Sequence, residues 1–208
     1  MQMNKKKPSK KEIVQKFRTE GILDAARRVL GLRGLEKATM EQVAEEAGIS
    51  KATIYLYYKN KEALYFTCVM DRFDEMLRAM KEGVKDIDDP IKKIEALIGM
   101  QLMAIESDKE FFRVFLTEKM GIFLDPASEF AEEFTRKHDE YTDFMAGVLK
   151  DGMDRGLLRE IDPVKGFSLL FSMVRGMAMC KIIYGDKTPL SEEAGLILGV
   201  FFDGLRIK

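Results

Sequence analysis

The chain is 208 residues long, 46% hydrophobic and 33% charged, with a formal net charge of −1. That composition excludes a disordered chain, and the length is enough for one domain, or two small ones, with a real core. The longest run without a charged residue, residues 96–105, is far short of the roughly 20 apolar residues that a spanning helix needs.

The charge is unevenly placed. Residues 1–61 hold 14 Lys and Arg against 7 Asp and Glu, whereas the remainder holds 20 against 28. Such a split points to two functional regions, the first suited to a polyanion. The Lys-rich start has no apolar block behind it, so it reads as a basic arm (Lys5 to Lys11) and not a signal peptide. Cys68 and Cys180 lie in apolar helical patterns and read as reduced core thiols of a cytoplasmic protein. The single histidine, His138, forms no metal-ligand spacing with other residues, so neither a metal nor a cofactor is expected.

Helical periodicity runs through the chain, strand-like alternation is absent, and about nine helices are expected. The first spans 11–32, with Ile13, Val14, Phe17, Ile22, Ala25, Ala26, Val29 and Leu30 mostly on one face and Gly34 as its stop. Two short helices follow at 40–47 and 51–57, and a long one at 61–84. The others fall at 90–106, 109–120, 127–155, 163–184 and 190–206. Asp89-Pro90, Asp125-Pro126, Asp162-Pro163 and Thr188-Pro189 each put a capping side chain before a proline, which predicts a helix start. The fold class is therefore all-α.

The informative segment is 39–61. Thr39 and Gln42 have capping-box spacing, Val43, Ala44 and Ala47 form a buried stripe, and Gly48 ends the helix. Ile49 plugs the turn and Ser50 caps the next helix. Two short helices joined by such a glycine turn form a helix-turn-helix, whose second helix enters the DNA major groove. That helix would present Lys51, Ala52, Thr53, Tyr55 and Tyr57, with Ile54 and Tyr58 facing the core. Lys51 suits a guanine edge or a phosphate, and Ala52 a thymine methyl. The hydroxyls of Thr53, Tyr55 and Tyr57 suit phosphates. Asn60 and Lys61 open the long helix, another phosphate-binding position.

Over about residues 20–66 the chain resembles the TetR family of bacterial transcriptional regulators. The resemblance rests on Gly34, Ala38-Thr39, Val43-Ala44, Ala47-Gly48-Ile49-Ser50, Lys51-Ala52-Thr53-Ile54-Tyr55, Tyr57-Tyr58 and Asn60-Lys61-Glu62-Ala63-Leu64, in ungapped order. It implies an N-terminal three-helix DNA-binding domain (residues 1–61, with the basic arm) and a C-terminal helical domain for effector binding and dimerisation (62–208). It further implies a ligand-responsive regulator: most members are repressors that hold a palindromic operator as homodimers and leave it when a small effector binds. By position, Thr39, Ser50, Thr53, Tyr57 and Lys61 would contact phosphates, and Lys51, Ala52 and Tyr55 would lie nearest the bases. The partners implied are double-stranded operator DNA and a small-molecule effector. The competing reading is a helical small-molecule-binding or interaction protein without DNA binding.

Beyond residue 61 the resemblance is one of architecture. This part is rich in Phe and Met, which suit an adaptable pocket for an apolar or amphipathic effector. Phe66, Phe73, Met103, Phe112, Phe115, Phe144, Phe171 and Arg175 are the candidate ligand-facing residues. Arg175, set between Val174 and Gly176, reads as a buried charge that meets an internal carboxylate, a residue across a dimer or an anionic ligand. Gly166, Ser168, Ser172, Gly176 and Ala178 on helix 8, with Gly195, Gly199 and Gly204 on helix 9, make those helices the candidate homodimer surface. No nucleophile–base pair appears, and Glu132-Glu133 and Asp139-Glu140 read as solvated faces, so no enzyme is expected.

Overall fold

A computed structural model of the chain describes residues 9–116, 125–185 and 188–205. Among them are nine α-helices, one short 3-10 turn and no strand. The chain divides into two compact units, Met1–Val69 and Met70–Lys208, and the division falls inside the long fourth helix.

The first unit holds α1 (Lys10–Lys37), α2 (Met40–Glu46), α3 (Lys51–Tyr55) and the first turns of α4 (Lys61–Gly83). Gly34 takes φ +76° and interrupts the helical backbone of α1, so the regular helix stops where the glycine predicts. Ile22, Ala25, Ala26, Val29 and Leu30 of α1 are buried with Val43 and Ala44 of α2, Ile54 of α3 and Leu64, Tyr65 and Cys68 of α4. Phe17 departs from its expected stripe and is exposed, and the side chains of Ile13 and Val14 lie outside the described residues. The arm residues 1–8 also lie outside them, whereas Lys10 and Lys11 already belong to α1.

The second unit holds the rest of α4, then α5 (Pro90–Ser107), α6 (Lys109–Val114), α7 (Ala131–Asp154), α8 (Pro163–Tyr184), the 3-10 turn Leu190–Glu193 and α9 (Ala194–Leu205). α5 packs against α7, α8 and α9, and α7 lies along α8. Their shared core includes Leu97 and Leu102 of α5, Tyr141, Met145 and Leu149 of α7, Phe167, Leu170 and Val174 of α8, and Phe201 of α9.

The proline signals divide. The Asp89 carboxylate accepts from the Ile91 and Lys92 amides, and Asp162 does the same for Val164 and Lys165, so both cap helices. Asp125 accepts from the Ala127 amide but makes only a turn, and α7 starts at Ala131. The 3-10 turn that follows has Pro189, not Thr188, at its cap, and the Thr188 hydroxyl and carbonyl accept from the buried Lys181 ammonium, which also pairs with Glu193 at 2.9 Å. The predicted extension of the sixth helix to residue 120 lies outside the described residues. Cys68 is a core thiol as expected, but Cys180 is exposed, because Ala178 and Lys181 take the inward positions of that turn of α8. No described helix is long and apolar enough to cross a membrane, and no described group of His, Cys, Asp and Glu has the makings of a metal site.

Candidate nucleic-acid interface and second-unit residues

The helix-turn-helix is built by its caps. The Thr39 hydroxyl accepts from the Gln42 amide at 3.2 Å, while the Gln42 side chain accepts from the Thr39 amide at 3.1 Å, a complete capping box at the start of α2. Gly48, with φ +67°, turns the chain, and the Ile49 amide donates back to Ala44 at 2.9 Å. The Ser50 hydroxyl then accepts from the Thr53 amide at 3.1 Å and starts α3. Ile54 is fully buried and Tyr58 nearly so, which pins α3 by its inner face. Burying one such side chain contributes about 1.5–3 kcal/mol.

That anchoring turns Lys51, Ala52 and Tyr55 outward together, with Tyr55 45% exposed, and leaves Thr53 and Tyr57 half-buried. A small residue flanked by a cation and a phenol is a surface that approaches base edges closely. Leu56, 84% exposed, lies just beyond; its apolar character drew no attention to it in the sequence.

Two lysines are engaged within this unit. The Lys51 ammonium pairs with Glu41 at the start of α2, which holds the Glu41 carboxyl below the usual carboxylate range. Lys61 donates to the backbone carbonyls of Glu36 and Ala38 at 3.1 and 3.0 Å, closing the end of α1 and tying α4 to it. The Asn60 side chain caps α4 by accepting from the Ala63 amide at 2.8 Å. Arg28 of α1 bonds Glu46 of α2 at 2.7 Å. Glu41 and Glu46 went unremarked in the sequence, although acids inside a basic segment are the natural partners of its cations.

In the second unit, Phe73, Phe112, Phe144 and Phe171 pack half-buried against the core, and Phe115 is buried. Phe66 is buried too, but within the first unit. Met103 is 62% exposed on the outer face of α5, and Arg175 is exposed on α8. The reading of Arg175 as a buried charge is therefore corrected: Val174 takes the inward position, and the next residue, about 100° round the helix, points away. Sequence reasoning missed Gln101 and Tyr141. Both are fully buried, and neither Gln101 Oε1 nor the Tyr141 hydroxyl has a hydrogen-bond partner among the described residues. The α7 spacing Phe134, His138, Tyr141, Met145 was the available signal, since it places all four on one helical face.

On α8 and α9 the small residues divide. Gly166 and Ala178 pack inward; a Cβ at Gly166 would lie 2.9 Å from Ile161 Cδ1. Ser168, Ser172, Gly176, Gly195, Gly199 and Gly204 face outward, interleaved with exposed Leu169, Leu196 and Val200.

Residues 22–68 match the sequence profile of "Bacterial regulatory proteins, tetR family". The fatty acid metabolism regulator protein of Bacillus subtilis is 22% identical over 188 residues, 90% of this chain and 95% of that protein. The crystal structure of the regulator FadR from Bacillus subtilis in complex with stearoyl-CoA superposes with a TM-score of 0.79 at 21% identity, covering 89% of this chain and 98% of the other. A transcriptional-regulator structure from Saccharomonospora viridis in complex with choline gives 0.79 at 18% identity, covering 93% and 100%. With the capped helix-turn-helix and its outward Lys51-Ala52-Tyr55 surface, these matches identify residues 22–68 as a regulatory domain of the tetR family, and the chain shares the fold of solved transcriptional regulators of that type.

Proposed function

We propose that the protein is a repressor that binds a palindromic operator as a homodimer and is released by an apolar or amphipathic small molecule held in residues 70–208. The observation that carries this reading is the outward set of Lys51, Ala52 and Tyr55 on a helix fixed from beneath by Ile54 and Tyr58. Lys51, Ala52 and Tyr55 meet the bases, and Thr39, Ser50, Thr53, Tyr57 and Lys61 serve the backbone. Lys61 leaves its carbonyl partners, or shares its three donors with them, to do so.

The exposed small and apolar stripes of α8 and α9 form the dimer surface, since the little bulk of glycine and serine lets two helix pairs approach closely. Two recognition helices must then reach successive major grooves about 34 Å apart. α4 begins among the DNA-binding residues and ends among the core residues of the second unit, so a ligand that shifts α4 shifts the recognition helix. Fatty acid metabolism in one relative and bound stearoyl-CoA or choline in solved neighbours support a small, partly apolar effector. The site of action is the cytoplasm.

Fluorescence anisotropy against duplex from immediately upstream of the gene, across a salt series, tests the DNA-binding part. Nanomolar binding with a log–log salt slope near −5 to −9 is expected for several phosphate contacts per dimer. Salt-insensitive or absent binding on every upstream fragment overturns it.

A further inference from the structure

Five aromatic side chains in the second unit close a circuit. Phe73 of α4 lies 6.0 Å from Phe134 of α7, and Phe134 lies 6.4 Å from the His138 ring. His138 is 6.4 Å from Phe171 of α8, Phe171 is 6.1 Å from Tyr141, and Tyr141 is 6.4 Å from Phe73 again, all between ring centroids. Phe134 and Tyr141 are buried as its base, whereas Phe73, His138 and Phe171, one from each helix, remain half-buried. The circuit is apolar except at two points.

One is the Tyr141 hydroxyl. It is wholly buried, burial holds its proton on by raising the phenol well above its ordinary pKa, and no described residue hydrogen-bonds it. An unmet buried hydroxyl is destabilising, and phenylalanine would fill the same space without that cost. The other point is His138, whose Nδ1 lies 3.5 Å from the Thr142 hydroxyl, leaving Nε2 as its second polar atom. The carboxylates along this stretch already have basic neighbours: Asp74 pairs with Lys137, Glu140 with Lys81 at 3.0 Å, and Asp139 lies 3.9 Å from His138. A neutral phenol that keeps its proton suits an accepting oxygen, and the surrounding rings suit a hydrocarbon chain.

We infer that this aromatic circuit seats a fatty-acyl effector, with the Tyr141 hydroxyl donating to its carbonyl or carboxylate oxygen. Tyr141 is then the residue that sets specificity for acyl ligands, and the inference rests on the reading of residues 70–208 as the effector-binding unit. Free acid and thioester present the same acyl oxygen, so both serve as probes.

The test is calorimetric titration of the full-length protein with hexadecanoate, with hexadecanoyl-CoA and with choline. The wild type binds at least one acyl probe, and the probe that binds distinguishes acid from thioester. Tyr141→Phe weakens that binding about tenfold, the loss expected for one buried hydrogen bond. The same variant unfolds at an unchanged or higher temperature without ligand, which a merely structural role for the hydroxyl would not produce. His138→Gln weakens acyl binding without touching the Tyr141 ring. Equal acyl affinity in the wild type and Tyr141→Phe overturns the inference; so does failure of both acyl probes to bind the wild type, or selective binding of choline. Anisotropy on the same samples separates the two readings. DNA binding without acyl binding overturns this inference alone, and Tyr141-dependent acyl binding without DNA binding overturns the regulator alone.

Discussion

At the scale of single residues, exposure and existing partners decide what each side chain of the DNA-binding segment is free to do. Tyr55 projects from α3 with no core role evident in its exposure, so Tyr55→Ala lowers operator affinity at least tenfold in anisotropy while the melting temperature stays within about 2 °C of wild type. Glu41 works in the opposite direction. In the proposed complex, where Lys51 turns to DNA, the Glu41 carboxylate is left beside phosphates and recruits a cation. Glu41→Gln therefore raises affinity for duplex DNA and steepens the salt slope by up to about 0.9 per subunit. The sign of its pH dependence follows from the lowered carboxyl pKa: the pair is present above the ordinary carboxylate range and is lost as pH falls through the lower folded-state value. Carbon-detected NMR titration of the Glu41 carboxyl would show a midpoint below that of an unpaired glutamate.

At the scale of elements, caps and one left-handed turn place the helices. Gly48 holds φ +67° with open space where a Cβ would stand, so Gly48→Ala costs backbone strain and not a clash, about 1–2 kcal/mol by urea denaturation. Asp162→Ala removes the acceptor for two amides at the start of α8 and costs about 1 kcal/mol in the same assay. These positions were legible because capping and positive φ are local requirements, satisfied within four residues. Asp125-Pro126 and Thr188-Pro189 carry the same local signal with a different outcome. Asp125 spends its carboxylate on a turn, and Thr188 spends its oxygens on Lys181, seven residues earlier and brought there by the packing of α8. A residue pair cannot announce which distant cation will claim it.

At the scale of the whole molecule, the proposed dimer makes the sharpest demand. Leu169→Asp together with Val200→Asp puts two charges on the outward stripes without disturbing the core. It converts dimer to monomer in sedimentation velocity and weakens operator binding by at least a hundredfold, because one recognition helix then binds alone. The all-helical architecture, the helix-turn-helix and the inward positions of Ile54 and Tyr58 were determined by the sequence alone, through periodicity, caps and glycine turns that act over a few residues. Tertiary structure decided the rest. It turned Arg175, Met103 and Cys180 outward, gave Lys61 and Lys51 their partners, and brought Phe73, Phe171 and the α7 stripe of Phe134, His138 and Tyr141 into one circuit. The physical reason is that a helical pattern records how apolar a face is, whereas burial and partnership depend on which other helix, far away in the chain, packs against that face.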